Sequence, residues 1–146
     1  MAAKGRLVFF SGPDGSDEGM PFVVYDSTNG TKVFEDSYHD PGIFNSKEDN
    51  SPFNHIRIFD GTNGQFHLKY LRVVEANCDM NLEKSFCWEP LRKRLELPTI
   101  QMPVCTGYEG VSTHWESAVA YAVEVTLFPR PVIEAVPGPT RCWPVD

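Results

Sequence analysis

The chain has 146 residues, of which 41% are hydrophobic and 23% charged, a composition typical of one globular domain with a real core, so global disorder is excluded. Its formal net charge of −7 disfavours nucleic-acid binding, because an acidic surface repels phosphate backbones. No stretch approaches the ~18 apolar residues of a membrane span, and the N-terminus lacks the apolar run of an export signal. We therefore expect a cytoplasmic protein, or a virion component if the gene is viral.

The first third of the chain predicts short strands separated by turns. Residues 7–10 form a continuous apolar run of strand length. Residues 22–25 predict a second strand, and a polar turn leads from it to a third strand at residues 32–34. Residues 36–54 are polar, apart from a few apolar side chains, and predict a long loop.

The middle of the chain carries the clearest hairpin signal. Residues 55–59 are β-branched and aromatic, and residues 65–74 begin with strict alternation of polar and apolar side chains. Asn63-Gly64 is a dipeptide that supplies the positive φ angles of a type I′ turn. If it forms the two-residue loop, Asp60 and His67 face each other across the strands as a carboxylate–imidazole pair.

Further strands are predicted towards the C-terminus. Residues 85–88 predict a strand that ends at Pro90, and residues 91–97 are compatible with a strand or a single helical turn. Residues 117–128 alternate β-branched and aromatic side chains with smaller ones, which favours a strand. A capping-box pattern and several alanines leave a helix open as the alternative for residues 113–122.

Five prolines between residues 129 and 144 characterise the end of the chain. A segment with this proline spacing is extended and is not expected to join a central strand. We therefore predict a domain of residues 1–136 followed by an extended tail of residues 137–146. Cys142 and Trp143 in this tail are candidate contacts with a partner.

Turn signals at intervals of about 8–12 residues predict the fold class. We expect an all-β protein, an antiparallel β-sandwich of jelly-roll type with long polar loops. The predicted core positions are Val8, Phe9, Val23, Tyr25, Ile58, Phe59, Leu68, Tyr70, Val123, Val125 and Leu127.

The four cysteines, Cys78, Cys87, Cys105 and Cys142, form no C-x-x-C pair and fit no zinc-ribbon spacing. Without an export signal we expect them to be reduced and mostly buried. In an oxidising compartment, four cysteines would permit three disulfide pairings.

Two groups of residues are candidates for a ligand site. Asp14, Asp17 and Glu18 supply hard oxygen donors for calcium in one loop, although their spacing does not match an EF-hand, and no other cofactor is expected. A sugar site would combine His114, Trp115 and Glu116 with Asp60 and Asn63 of the polar turn and His67 of the strand that follows it. The turn sequence aromatic-Asp-x-Thr-Asn-Gly occurs twice, at residues 25–30 and 59–64.

The leading functional hypothesis is a non-enzymatic structural or assembly module. It would engage copies of itself or a larger, virion-like particle, and deletion of residues 137–146 would lower the mass of the oligomer. The first alternative is a lectin-like module that binds glycans. The second is a small enzyme that uses Asp60 and His67, although no nucleophile-elbow, phosphate-loop or dinucleotide motif accompanies them.

Overall fold

The computed structural model describes residues 2–12, 19–39, 56–98, 101–110 and 115–145. Within these ranges the strands are β1 (Ala2–Lys4), β2 (Leu7–Ser11), β3 (Met20–Asp26), β4 (Thr31–Tyr38), β5 (Arg57–Asp60), β6 (Phe66–Glu75), β7 (Val104–Cys105), β8 (Ser117–Thr126) and β9 (Val132–Pro144). The helices are α1 (Met80–Glu83) and α2 (Ser85–Leu95). No helix in these ranges is long and apolar enough to cross a membrane.

The strands form one sheet in the order β1-β2-β3-β4-β6-β8-β9-β7, and β5 pairs with the same strand, β6, that adjoins β4. All pairs are antiparallel except β7 with β9. The all-β class is therefore confirmed. The two-layered sandwich and jelly-roll arrangement is not confirmed, since hydrogen bonds join the described strands into a single sheet.

Strands β6 and β8 form the centre of the sheet and pair without interruption from His67↔Thr126 to Glu75↔Ala118. The strand predicted for residues 117–128 is thus confirmed over Ser117–Thr126. Its β-branched and aromatic side chains line the core face, because alternate residues of a strand point to the same side. The buried members of this face are Val119, Tyr121, Val123 and Val125.

The core contains six of the predicted positions: Phe9, Leu68, Tyr70, Val123, Val125 and Leu127. In β3 the predicted phase is wrong, because Phe22 and Val24 are buried in place of Val23 and Tyr25. Phe9 lies directly opposite Val24, so the pairing of β2 with β3 selects the inward face. A short run of consecutive apolar residues does not indicate which face turns inward.

The junction between β4 and β6 has a single register pair, Tyr38↔Arg72, and the backbone N–H of His39 donates to the carbonyl of Leu71 at 2.8 Å. Residues 36–38, predicted to begin a long loop, therefore belong to β4, and residues 40–54 lie outside the described ranges.

A largely buried polar network spans the same junction. The Asp36 carboxylate accepts hydrogen bonds from the Tyr70 hydroxyl and from Nε of Arg72, the latter at 2.9 Å. Arg72 also donates from Nη1 to the Tyr121 hydroxyl at 3.0 Å. Burial, and next the charge of Asp36, raise the pKa of Tyr70 far above its ordinary value, so its hydroxyl remains a donor.

The strand predicted at residues 85–88 is wrong, because these residues begin helix α2. Cys87, Trp88 and Leu91 are buried at helical spacing. Pro90 lies inside the helix, which therefore lacks one internal hydrogen bond. The alternative of a helix for residues 91–95 is confirmed, since they complete α2.

Asp79 fixes the start of the helical segment. Its side chain is buried and caps α1 by accepting from the backbone N–H groups of Asn81 and Leu82, at 2.8 and 3.0 Å. Its other carboxylate oxygen accepts from the backbone N–H of Trp115 at 2.9 Å. One side chain thus joins the helical segment to the residues that precede β8.

Two disulfides replace the reduced thiols that we expected: Cys78–Cys87 and Cys105–Cys142. The first links the residues before α1 to α2, and the second links β7 to β9. Disulfides are typical of oxidising compartments, so they do not support the cytoplasmic expectation, which stays a prediction.

The expectation that the Pro-rich segment does not join a central strand is wrong, because β9 lies between β8 and β7. Residues 137–144 complete β9, and the pairs from Tyr121↔Thr140 to Ser117↔Pro144 attach them to β8, so the predicted domain boundary falls inside a strand. Pro137 and Pro139 are tolerated because they lie where the register shifts and no ladder partner is needed. Deletion of residues 137–146 would therefore remove much of a strand.

Candidate functional site

The hairpin of β5 and β6 has a different register from the one predicted. Asp60 pairs with Phe66, and His67 pairs with Phe59, so Asp60 and His67 do not face each other. The loop spans residues 61–65 and includes a 3₁₀ turn, in place of a two-residue turn at Asn63-Gly64. Both residues of that dipeptide do adopt positive φ, at 57° and 74°. Asp60 and Asn63 are exposed.

His67 has other partners, which do not form a catalytic relay. Its Nδ1 lies 3.1 Å from the Thr126 hydroxyl and 3.6 Å from the Glu124 carboxylate, and its ring stacks on Phe59 at 5.2 Å. A nucleophile–base–acid relay requires the acid and the nucleophile on different ring nitrogens. Here both approach Nδ1, and Nε2 lies against Gly61. The geometry therefore gives no support to the enzyme alternative.

The two similar turn sequences fold differently. In the first, the buried Asp26 accepts from the backbone N–H and the hydroxyl of Thr28, at 2.9 and 2.6 Å, and lies 3.6 Å from Nε of Arg6. In the second, Asp60 is exposed. The first turn is thus a packed structural element, and the two turns do not form a duplicated ligand loop.

The remaining residues of the predicted sugar site lie far from this hairpin. Trp115 is half-buried, and Glu116 is exposed just before β8 begins, whereas His67 pairs with Thr126 at the end of β8. A ten-residue strand separates the two groups by about 30 Å. The structure therefore does not bring the predicted sugar-site residues together. His114 and the calcium candidates Asp14, Asp17 and Glu18 lie outside the described residues.

Both candidate partner residues of the tail are engaged within the chain. Cys142 is buried and disulfide-bonded to Cys105. Trp143 is half-buried and stacks on His39, with ring centres 4.6 Å apart. The Cys142 side chain is thus not accessible to a partner.

One group of potential metal ligands lies beside the helices. Cys78, Glu83 and Cys87 place their ligand atoms within 4.8 Å of one another. The two sulfur atoms are bonded to each other, and the Glu83 carboxylate accepts from the backbone N–H of Asp79 at 2.7 Å. Neither cysteine therefore offers a thiolate to a metal in this state. The disulfide and the Glu83 hydrogen bond instead stabilise the helical segment.

A surface that the sequence analysis missed lies on the solvent side of the helices. Phe86 is 88% exposed and Leu82 is 58% exposed. Pro90, four residues after Phe86, is also exposed and lies next to it on the helix surface. We call Phe86 and Pro90 the outer apolar patch. A signal existed in the sequence, because Phe86 falls outside the 87, 88, 91 spacing of a buried helix face.

Two cavities border an irregular part of β9. Residues 136–139 have no register partner, because Tyr121 pairs with Thr140 and Val123 pairs with Ala135, and we call them the β9 bulge. One cavity of about 420 Å³ separates the bulge from residues 97–98 and 101–104. The other, of about 270 Å³, lies between the bulge, β6 and β5. Sequence reasoning missed both, since they depend on how β8 pairs with β9.

Comparisons with protein-family models, with curated proteins and with solved structures find no match for this chain.

Proposed function

We propose that this protein is a non-enzymatic assembly module that associates with copies of itself through the outer apolar patch. The observation that carries the proposal is the 88% exposure of Phe86 on a helix. Large aromatic side chains are enriched among the residues that dominate protein–protein binding energies, and an apolar surface without a role in the fold is typical of such interfaces.

The rigidity of the patch supports this role. The Cys78–Cys87 disulfide ties the residue after Phe86 to the chain before α1, and the buried cap Asp79 holds the first helical turn. An anchor on a rigid element loses little conformational entropy on binding. The Phe86 carbonyl also lacks the usual helical hydrogen bond from four residues later, because Pro90 has no N–H.

The charges around Phe86 favour a second copy of the chain as the occupant. Glu89 and Lys93 follow Phe86 on the same side of α2, three and seven residues later. A hydrogen bond from Arg92 lowers the pKa of Glu89, so the carboxylate remains charged at neutral pH. Two α2 helices packed antiparallel about a two-fold axis would place the acidic part of one beside the basic part of the other.

The deciding experiment is light scattering after size-exclusion chromatography, over about a hundredfold range of concentration, on the parent protein and on Phe86→Ser. Burying one Phe side chain contributes about 1.5–3 kcal/mol. A symmetric dimer would bury two Phe86 rings, so removing both is expected to weaken dimerisation by at least about a hundredfold. At concentrations low enough for the parent to be monomeric, the urea midpoint of Phe86→Ser should match that of the parent, because the ring is not part of the core.

Val104→Ser is the matched control, since Val104 is 79% exposed and lies on a strand, β7, and not on a helix. The Val104→Ser variant should have the same solution mass as the parent at each concentration. The proposal is wrong if the parent protein is monomeric at every concentration, or if Val104→Ser lowers the mass as much as Phe86→Ser does.

A further inference from the structure

The cavity of about 270 Å³ beside the β9 bulge has an apolar interior with a basic end. Its apolar lining includes Leu71, Ala122, Val136 and Pro137. Gly138 closes one side by lying directly over Ala122, where a Cβ on Gly138 would stand 2.7 Å from the methyl carbon of Ala122. The charged side chains among its described lining residues are both basic, in a chain whose formal net charge is −7.

These two cations, Arg57 and Lys69, are directly opposed across β5 and β6. Like charges in this position repel each other and destabilise a sheet. Within the described residues neither cation forms an ion pair, and Nζ of Lys69 lies 5.8 Å from the centre of the Phe59 ring. The sequence therefore keeps an unfavourable pair where a bound anion would make it favourable.

The carboxylate opposite Lys69 in the ladder forms its close contact with a different side chain. Glu124 lies opposite Lys69 on the other neighbouring strand, but its carboxylate approaches Nδ1 of His67 at 3.6 Å. Glu134 lies opposite Glu124 in turn. Arg57, Lys69, Glu124 and Glu134 thus form a row across β5, β6, β8 and β9. The two basic residues border the cavity, and the two acidic residues lie on β8 and β9.

We propose that this cavity binds a small amphipathic anion, a short apolar chain that carries one carboxylate. The chain lies on Leu71, Ala122 and Val136, and the carboxylate lies between Arg57 and Lys69. Apolar walls with a few convergent polar groups are the usual composition of a ligand site, and charge-assisted hydrogen bonds fix the orientation. This site is separate from the outer apolar patch and does not depend on the proposed assembly role.

Octanoate is the probe, and neutral octanamide and inorganic phosphate are the two comparison compounds. Each compound is titrated into the parent protein, and binding is followed by calorimetry and by amide NMR. Octanoate is expected to bind about tenfold more tightly than octanamide, the ratio expected from one charge-assisted contact. Its NMR shifts should be largest at Leu71, Ala122 and Val136. Raised salt should reduce the preference for octanoate.

The double variant Arg57→Gln with Lys69→Gln should bind octanoate and octanamide equally tightly. Its urea midpoint should equal or exceed that of the parent, because the repulsion between the two cations is removed. Lys32→Gln is the matched control, an exposed lysine on β4, and should keep the preference. The proposal is overturned if octanamide binds the parent as tightly as octanoate, if Lys32→Gln loses the preference equally, or if the shifts lie elsewhere. Phosphate binding as tight as octanoate binding would also overturn it, since the apolar chain would then contribute nothing.

Discussion

Among single residues, Asp26 shows how a turn sequence becomes a structural element. Hydrogen bonds from the Thr28 hydroxyl and backbone N–H, together with the charge of Arg6, lower the pKa of Asp26 below its usual 3.8. A carboxyl group whose pKa is lowered by folding stabilises the folded state above its unfolded pKa, and the stabilisation is lost as the pH falls through the folded pKa. This contribution is therefore present at neutral pH and lost in acid.

Thr28→Val tests this contribution, because it removes the largest cause of the shift. The pKa of Asp26 should rise towards 3.8, as followed by NMR of its carboxyl carbon. The urea midpoint should fall at about pH 7, and the difference from the parent should shrink towards about pH 2. Thr31→Val is the control, since Thr31 makes the same bonds to neutral Asn29, and its effect should not depend on pH. A pH-independent effect of Thr28→Val would contradict the assignment.

Between elements, the junction of β4 and β6 has the fewest register pairs among the described strands, with Tyr38↔Arg72 alone. The ion pair of Asp36 and Arg72 compensates for this, since Arg72 also bonds Tyr121 on β8 and so couples three strands. A largely buried charge that loses its partner is left without compensation, which costs more than the intact pair contributes.

Asp36→Asn should therefore lower the free energy of unfolding by about 3 kcal/mol, the lower end for breaking a buried pair, because the Arg72 side chain is 25% exposed. Urea unfolding followed by fluorescence measures this loss. Glu35→Gln is the control on the same strand: its pair with Lys32 is exposed, so the change should be below about 1 kcal/mol. Equal effects of the two substitutions would show that the junction does not depend on the buried pair.

For the molecule as a whole, the two disulfides set the redox dependence of stability. They close loops with sequence separations of 9 and 37 residues. In the chain-entropy account, these loops correspond to about 2.5 and about 4 kcal/mol of stabilisation. The Cys105–Cys142 bond also anchors the strand that the prolines of β9 would weaken.

Two double variants test these values by urea unfolding: Cys78→Ala with Cys87→Ala, and Cys105→Ala with Cys142→Ala. Both should have a lower free energy of unfolding than the parent, and the decrease should be larger for the second variant. A reductant should lower the midpoint of the parent below that of either double variant. Thiol labelling of the unfolded parent, without reductant, should find no free cysteine. A reductant that leaves the parent's midpoint unchanged would contradict these expectations.

Local patterns in the sequence were sufficient for several features. Alternation over residues 117–128 predicts a strand because its apolar side chains fit one face of a pleated chain, and Ser117–Thr126 is that strand. The positive φ of Asn63 and Gly64 follows from their turn propensity. The all-β class follows from the frequency of turns, since each is set within a few residues.

Strand register, strand pairing and disulfide links depend on contacts between residues far apart in the sequence. The sequence alone did not reveal those contacts. Asp60 faces Phe66 because the whole loop of residues 61–65 folds as a unit, and a shift of one position changes every cross-strand partner. Residues 85–88 are helical because Cys87 and Trp88 pack into the core and Cys87 is disulfide-bonded to Cys78. Pro137 and Pro139 enter β9 where a register shift removes the need for their N–H groups, and Pro144 is the last residue of the strand. The sequence thus determined strand propensity and turns, whereas long-range packing decided which residues meet, and with them the outer apolar patch and the cavity at the β9 bulge.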